Sequence, residues 1–492
     1  MRTGGILLPV FSLPSPYGIG TLGKGAYRFV DFLERSGQSS WQVLPIGPTG
    51  YGASPYQSFS TFAGNPFFID PELLMEQGYL SQSELSAACA DESSGIDYEQ
   101  VAVGSEAFLR PAYARFVKSP APAYAAFLES QAPWLMDYAL YLALKAEQGQ
   151  KPWTQWAQPL RRREAEALEA AMERLSPEIG YHCFVQYVFF SQWRSLKAYA
   201  NSRGIRLIGD LPIYVAMDSA DTWLNPELFM LDEALTPTLV AGCPPDAFSK
   251  TGQLWGNPLY AWEAHRHEDY RWWIRRVAAA FECFDTLRID HFRGFASYYA
   301  IPYGDPTAEK GHWETGPGMA LFDAIRGRLG KLSIIAEDLG FLTPDVTRLL
   351  ARSGFPGMKV LQFAFGGDSD NAYLPHAHPK KCVVYTGTHD NTTSAAWYKT
   401  AKPKERAFAK RYLALSKAEG IHIGLIRGAL MSPAQTAIIP MQDYLGLDAS
   451  ARINTPSTVG GNWAWRLGEN QLSEGLSDLI AEMTSRYGRN RT

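Results

Sequence analysis

Eight short apolar runs, each bounded by turn residues and most separated by helix-like stretches, set the strongest limit on how this chain can fold. They fall at 6–10, 41–46, 205–210, 286–291, 332–337, 358–363, 382–386 and 437–441. Apolar runs of four to eight residues alternating with helical patterns read as parallel β/α units. Eight such strands are what a closed (β/α)8 TIM barrel requires, and 492 residues fit one barrel carrying insertions. The expected class is therefore α/β, with 1–492 as a single catalytic domain.

The gaps between the runs carry their own signals. AYRFVDFLERSG holds an amphipathic helical face and stops on Gly37. Residues 184–199 form an aromatic helical stretch ended by Gly204. Segments 319–329 and 343–351 read as the crossovers after the fourth and fifth strands. The second opens with Thr343 as N-cap and Pro344 at the first helical position. Between strands two and three, a stretch rich in Ala, Glu, Leu and Gln predicts a helical insert at about 65–185. Between strands three and four, 212–283 is rich in Pro, Gly and Trp and predicts a loop-rich insert. The link at 366–381 is short and shows no helical pattern.

Composition narrows the function classes. With 46% hydrophobic and 20% charged residues the chain is neither disordered nor fibrous. A net charge of −4 argues against a dedicated nucleic-acid or anionic-membrane binder. No run of about 18 apolar residues predicts a membrane span. The five cysteines lack metal or redox spacing, and the N-terminus lacks a signal-peptide pattern, so a cytoplasmic location is expected. Aromatics reach 13%, which suits stacking on sugar rings and equally suits a large core.

In a (β/α)8 barrel chemistry sits at the C-terminal ends of the strands. Asp210 closes IRLIGD, Arg288, Asp290 and His291 close DTLRIDH, Glu337 and Asp338 close LSIIAED, and His389, Asp390 and Asn391 follow VVYTGT. Side chains alternate along a strand, so Arg288 and Asp290 share one face and Leu287 and Ile289 the other. With the apolar pair outward, Arg288 and Asp290 point into the barrel. A guanidinium beside Asp290 is expected to depress its pKa, whereas the drier surroundings of Glu337 are expected to raise that of Glu337. One ionised and one protonated carboxyl, about 5 Å apart, are the requirement of retaining glycosidic chemistry. Two other uses of these residues stay open. Strand-end carboxylates also cap helices, as would suit Asp338 and Asn391. Clustered acids with His291 and His389 also bind divalent ions in isomerases, although Arg288 would compete with the cation. His265 and His267 have charged neighbours and read as surface residues.

These runs resemble the 4-α-glucanotransferases called amylomaltases or disproportionating enzymes, glycoside hydrolase family 77 of the α-amylase superfamily. DTLRIDHFRG at 285–294, IIAEDLG at 334–340 and TGTHDN at 386–391 are similar to the superfamily's catalytic segments. The resemblance implies Asp290 as nucleophile, Glu337 as general acid/base and Asp390 as transition-state stabiliser. It also implies that Arg288 partners Asp290, that His389 binds the same sugar as Asp390, and that Arg288, His291 and Asp210 in IGDLPIYV belong to the substrate-binding set. YGASPYQSFSTFAGNP at 51–66 resembles the family's N-terminal signature, implying glucan contacts at Ser54 and Tyr56 and a second, remote one at Tyr51. PPDAFSKTGQLWGNP at 244–258 resembles the loop covering the groove, with Asp246, Gln253, Trp255 and Asn257 lining it. LQFAF implies Phe363 beside the acceptor path, and RINTPST implies Asn454 near the donor side. The implied reaction passes a segment of an α-1,4-glucan to the 4-OH of an acceptor through a covalent intermediate, with maltooligosaccharides as partners and no cofactor or metal. The residues themselves point to glycoside cleavage. The preference for transfer over hydrolysis comes from the resemblance, and an inactive sugar binder is disfavoured by the intact carboxylates.

Overall fold

Parallel strands β1 (Thr3–Leu7), β2 (Ser40–Gln42), β3 (Arg206–Leu211), β4 (Thr286–Ile289), β5 (Ile334–Ala336), β6 (Gly357–Val360), β7 (Cys382–Tyr385) and β8 (Thr436–Pro440) build the barrel. The computed structural model describes residues 2–90, 95–245, 249–340 and 342–490. In it, hydrogen-bonded neighbours run β6-β7-β8-β1-β2-β3-β4-β5. The seam between β5 and β6 closes by other means. The Ala336 N–H donates to the Pro356 carbonyl at 2.9 Å, and the Met358 N–H donates to the Asp338 carboxylate at 2.6 Å. Asp338 therefore stitches a sheet seam and does not cap a helix, which corrects the sequence expectation. A buried strand amide needs an acceptor, and this carboxylate supplies it.

All eight expected strands are present, with shifted ends. β1 begins before its apolar run because Gly4 and Gly5 carry no side chain to reveal a pattern. A Cβ on Gly5 would lie 2.8 Å from the Ser40 carbonyl oxygen and 2.7 Å from Ile438 Cδ1, so β1 meets its neighbours only with glycine there. The alternation expected from the sequence holds. Leu7, Ile208, Ile335, Met358, Val360, Val383, Tyr385 and Ile438 fill the barrel lumen. Residues of opposite parity, such as Leu207, Leu287, Ile289, Ile334 and Val384, pack outward in the large core shared with the helices. Asp210 and Glu337 each follow a lumen residue by two positions, which aims both at the barrel mouth.

Helix Lys24–Arg35 ends at Gly37, whose φ of +68° turns the chain into β2. Met319–Leu329 and Pro344–Ser353 are the crossovers on either side of β5. Thr343 occupies the N-cap position of the second, but its hydroxyl makes no capping bond. Between β2 and β3 run helices that include Tyr98–Phe116, Leu135–Glu147 and Ser176–Ser202. The last is 27 residues long and passes uninterrupted through residue 185, so these helices merge into the layer around the barrel. Lys145, only 4% exposed, joins Asp218 at 2.5 Å, and Asp218 also accepts the Tyr141 O–H. This contact fastens Leu135–Glu147 to the segment after β3.

The stretch expected as loop-rich contains sheet. Strands Gln253–Pro258 and Leu239–Cys243 join Ser297–Pro302 and His312–Thr315 in an antiparallel sheet, in that order. Glycines 242, 252 and 256 obscured the alternation, and half the sheet comes from beyond β4. His265 is fully buried with Nε2 against the Leu228 carbonyl at 3.1 Å, so the surface reading holds only for His267. At the C-terminal end Arg489, fully buried, donates to the carbonyls of Thr3, Leu430, Ser432 and Ala434, bracing β1 against the approach to β8.

One buried acid gives a pH-dependent expectation. Asp221 is 3% exposed and accepts the Thr61 N–H at 2.8 Å. Burial raises its carboxyl from 3.8 to about 6. The folded chain keeps this proton longer than the unfolded chain. The group is therefore neutral to stability below about pH 4 and becomes costly as pH rises to about 6, reaching about 3 kcal/mol above that. Asp221→Asn should match the wild type in urea midpoint at pH 4 and exceed it at pH 8. Parallel midpoint curves over that range would refute this account.

Candidate active site

The mouth of the barrel is organised by one cation. Arg288, 3% exposed, projects from β4 into the lumen. Its Nη1 donates to both oxygens of Asp210, at 2.7 and 2.6 Å, and its Nη2 lies 3.1 Å from Asp290 Oδ1. The two carboxylates hold Arg288 in its charged form. The Asp290 side chain is 26% exposed and opens to a cleft above. The expected depression of the Asp290 pKa is not what this geometry produces. Burial at the barrel mouth raises it well above the ordinary range, and Arg288 opposes that rise.

Glu337 stands one residue past β5. It accepts the His291 N–H at 2.7 Å and the Leu339 N–H at 2.8 Å. Burial raises its pKa, as its apolar run suggested, while Arg288 and the two amides pull the other way. His291 adopts φ +47°, a left-handed conformation rare for a side-chain-bearing residue, which turns its amide toward Glu337. The imidazole of His291 is driven down to about 3 by burial and is neutral at physiological pH. Asp290 and Glu337 are thus neighbouring carboxyls whose first protons are held above the usual range, an arrangement suited to keeping one proton between two acids.

Tyr56 links the two sides of the cleft floor. Its hydroxyl donates to Asp210 Oδ2 at 2.9 Å and lies 2.9 Å from His389 Nε2. With the phenol proton committed to Asp210, His389 donates from Nε2. The rings of Tyr56 and His389 stack at 5.5 Å. Because the hydroxyl is occupied, Tyr56 is left to meet a ligand with its ring. Tyr56→Phe should therefore cost about 1–3 kcal/mol in urea denaturation, as Asp210 and His389 each lose a partner, and should change glucan KM little. A large KM change with unaltered stability would contradict this assignment.

Asp390, 40% exposed, receives the Asn454 amide at 2.6 Å. Asn391 does not cap a helix. Its Oδ1 accepts both the N–H and O–H of Thr388 at 2.9 Å, while Thr393 caps the helix that follows. Gln253, Trp255 and Asn257 share one face of strand Gln253–Pro258. Trp255 meets His291 edge-on at 4.9 Å, and the Asn257 amide binds the Val215 carbonyl and accepts from Gln57.

These groups converge on a cleft of about 650 Å³. Its lining includes Tyr51, Ser54, Tyr56, Gln253, Trp255, Asn257, Asp290, His291, Glu337, His389, Asp390 and Asn454. Asp210 and Arg288 lie beneath it, and Tyr51 stands 77% exposed at the rim. Phe363 is not in this lining and packs edge-on against Tyr373 at 5.6 Å. Asp246 lies outside the described residues. Sequence reading missed Trp463, which tilts against Tyr56 at 5.8 Å and His389 at 6.1 Å with φ +61°. The Gly460-Gly461 pair before it was the available signal. Among the described residues no group of three or more His, Cys, Asp or Glu side chains is placed to hold a metal ion, and no helix is long and apolar enough to cross a membrane.

Comparison with known proteins agrees with this geometry. A family model described as 4-alpha-glucanotransferase matches residues 8–471. A 4-alpha-glucanotransferase of Clostridium butyricum is 47% identical over 483 residues, 98% of this chain and 99% of the relative. One from Thermus thermophilus is 48% identical over 483 residues, 96% of each chain. Among solved structures, amylomaltase from Streptococcus agalactiae in complex with acarbose is 40% identical with a TM-score of 0.98, covering both chains completely. On the match over nearly its whole length, in sequence and in fold, the chain belongs to the 4-α-glucanotransferase family.

Proposed function

We propose that glucan transfer proceeds here by double displacement, with Asp290 as nucleophile, Glu337 as general acid/base and Asp390 as stabiliser of the transition state. The observation that carries this reading is the convergence of the three acids on one cleft, with Arg288 beneath Asp290. An α-1,4-glucan donor lies across the acids. Glu337 gives its proton to the glycosidic oxygen while an Asp290 oxygen bonds to the anomeric carbon, and the shortened glucan leaves with a new 4-OH. An acceptor then enters. Its 4-OH returns a proton to Glu337 and bonds to the anomeric carbon, which frees Asp290. One glycosidic bond is broken and one is made.

Maltooligosaccharides and longer α-1,4-glucans serve as both donor and acceptor in this reading. The Tyr56 ring supports a sugar at the floor, and Trp255 with Gln253 walls the groove beside His291. Strand Gln253–Pro258, with residues 249–252 leading into it, acts as the cover that keeps water from the intermediate until an acceptor arrives. Cys89, Cys183, Cys283 and Cys382 form no disulfide, which suits the reducing cytoplasm. Incubation with maltotriose alone tests the reading. Glucose and a ladder of longer maltodextrins should appear at constant total reducing ends. Glucose and maltose alone, with rising reducing ends, would mean hydrolysis.

A further inference from the structure

Asp390 sits in a turn beyond β7, so no strand ladder fixes its backbone. Within the turn Asn391 holds only Thr388. The Asp390 N–H donates to Thr388 Oγ1 at 3.3 Å, and further ties come from the loop after β8. The Asn454 N–H donates to the His389 carbonyl at 3.1 Å, and the Asn454 side chain meets Asp390 Oδ1 at 2.6 Å. Arg452, half-buried, completes the set. Its Nη2 donates to the Asp390 carbonyl at 2.6 Å and its Nε to the Asn454 carbonyl at 2.7 Å. One guanidinium therefore bridges the peptide of the acid and the peptide of the residue that orients that acid. No carboxylate bond to Arg452 is present among the described residues, so its contacts here are with backbone. Both bonds converge on the pair that sets where the Asp390 carboxylate points.

We propose that Arg452 is a positioning residue of the transfer reaction, clipping the β7 and β8 loops so that Asp390 is held ready for the distorted sugar. The proposal rests on the stabilising role given to Asp390 above. Arg is suited to this task because its planar fork donates in two fixed directions, which a lysine ammonium cannot reproduce. Displacement of a reacting group by about 1 Å costs on the order of a hundred-fold in rate, so losing the clip should act on kcat more than on KM.

The test is a double-mutant cycle read with α-glucosyl fluoride as donor and maltose as acceptor, with thermal unfolding followed in parallel. R452M should lower kcat about a hundred-fold with KM within about threefold and a near-native Tm. D390N alone should lower it further. Adding R452M to D390N should then change activity less than about threefold, because the clip has nothing left to place. If R452M does not fold, R452K carries the same cycle. An equal fold-loss in both backgrounds, or wild-type turnover by R452M, overturns the proposal. Wild-type turnover by D390N would instead overturn the role of Asp390 itself and the proposal with it.

Discussion

Replacing Asp290 by Asn should abolish at least about a thousand-fold of turnover on maltotriose while leaving the protein folded. The substitution removes the oxygen that bonds to the anomeric carbon. It keeps an amide that can still face Arg288 Nη2, which lies 3.1 Å from Asp290 in the native site. Asp210 continues to neutralise Arg288 through two short bonds, so no buried cation is abandoned and Tm should move little. Turnover and circular dichroism measured on one preparation check this. A folded variant with near-native activity would remove Asp290 from the mechanism.

Glu337→Gln is expected to have the second large effect, and a selective one. With maltotriose the loss should be about a hundred- to ten-thousand-fold, because the sugar leaving group requires a proton. With α-glucosyl fluoride the first step should stay near the wild-type rate, because fluoride leaves unaided. The pH profile provides a sign. Burial raises the Glu337 pKa, so the wild type should lose activity on maltotriose as pH rises through that raised value and the proton departs. The variant with the fluoride donor should lack this alkaline limb. Equal damage to the first step with both donors would show that Glu337 does not supply the proton. Because deglycosylation also needs a base, the glycosyl-enzyme should accumulate in the variant. Intact-mass measurement should find the added sugar, and digestion should place it on the peptide containing Asp290.

Much of the barrel was legible because its grammar is short-range. The two-residue period separated Arg288 and Asp290 from Leu287 and Ile289, and the structure places these pairs in the lumen and the outer core respectively. Apolar runs ending in acids also located the cleft. Other features depend on partners distant in sequence. Asp338 looked like any strand-end acid, and only the gap between β5 and β6 shows why Met358 needs it. His265 looked exposed because its sequence neighbours are charged, yet the ring faces the Leu228 carbonyl. The antiparallel sheet joins segments on both sides of β4, which no local window can pair. The behaviour of Asp290 turned on how deeply the barrel mouth buries it, which spacing along one strand does not encode.

The pairing of β1 with β8 has a consequence for how the chain is made. Residues 3–7 leave the ribosome 433 residues ahead of their partners at 436–440. At about 5–20 residues per second, one edge of β1 waits roughly 20 to 90 seconds for its neighbour, and the bonds from Arg489 to Thr3 and Ala434 come later still. An open strand edge over that interval is an invitation to pair with another nascent chain. Yield in the cell should therefore depend on elongation speed and chaperone supply more than on the stability of the finished barrel.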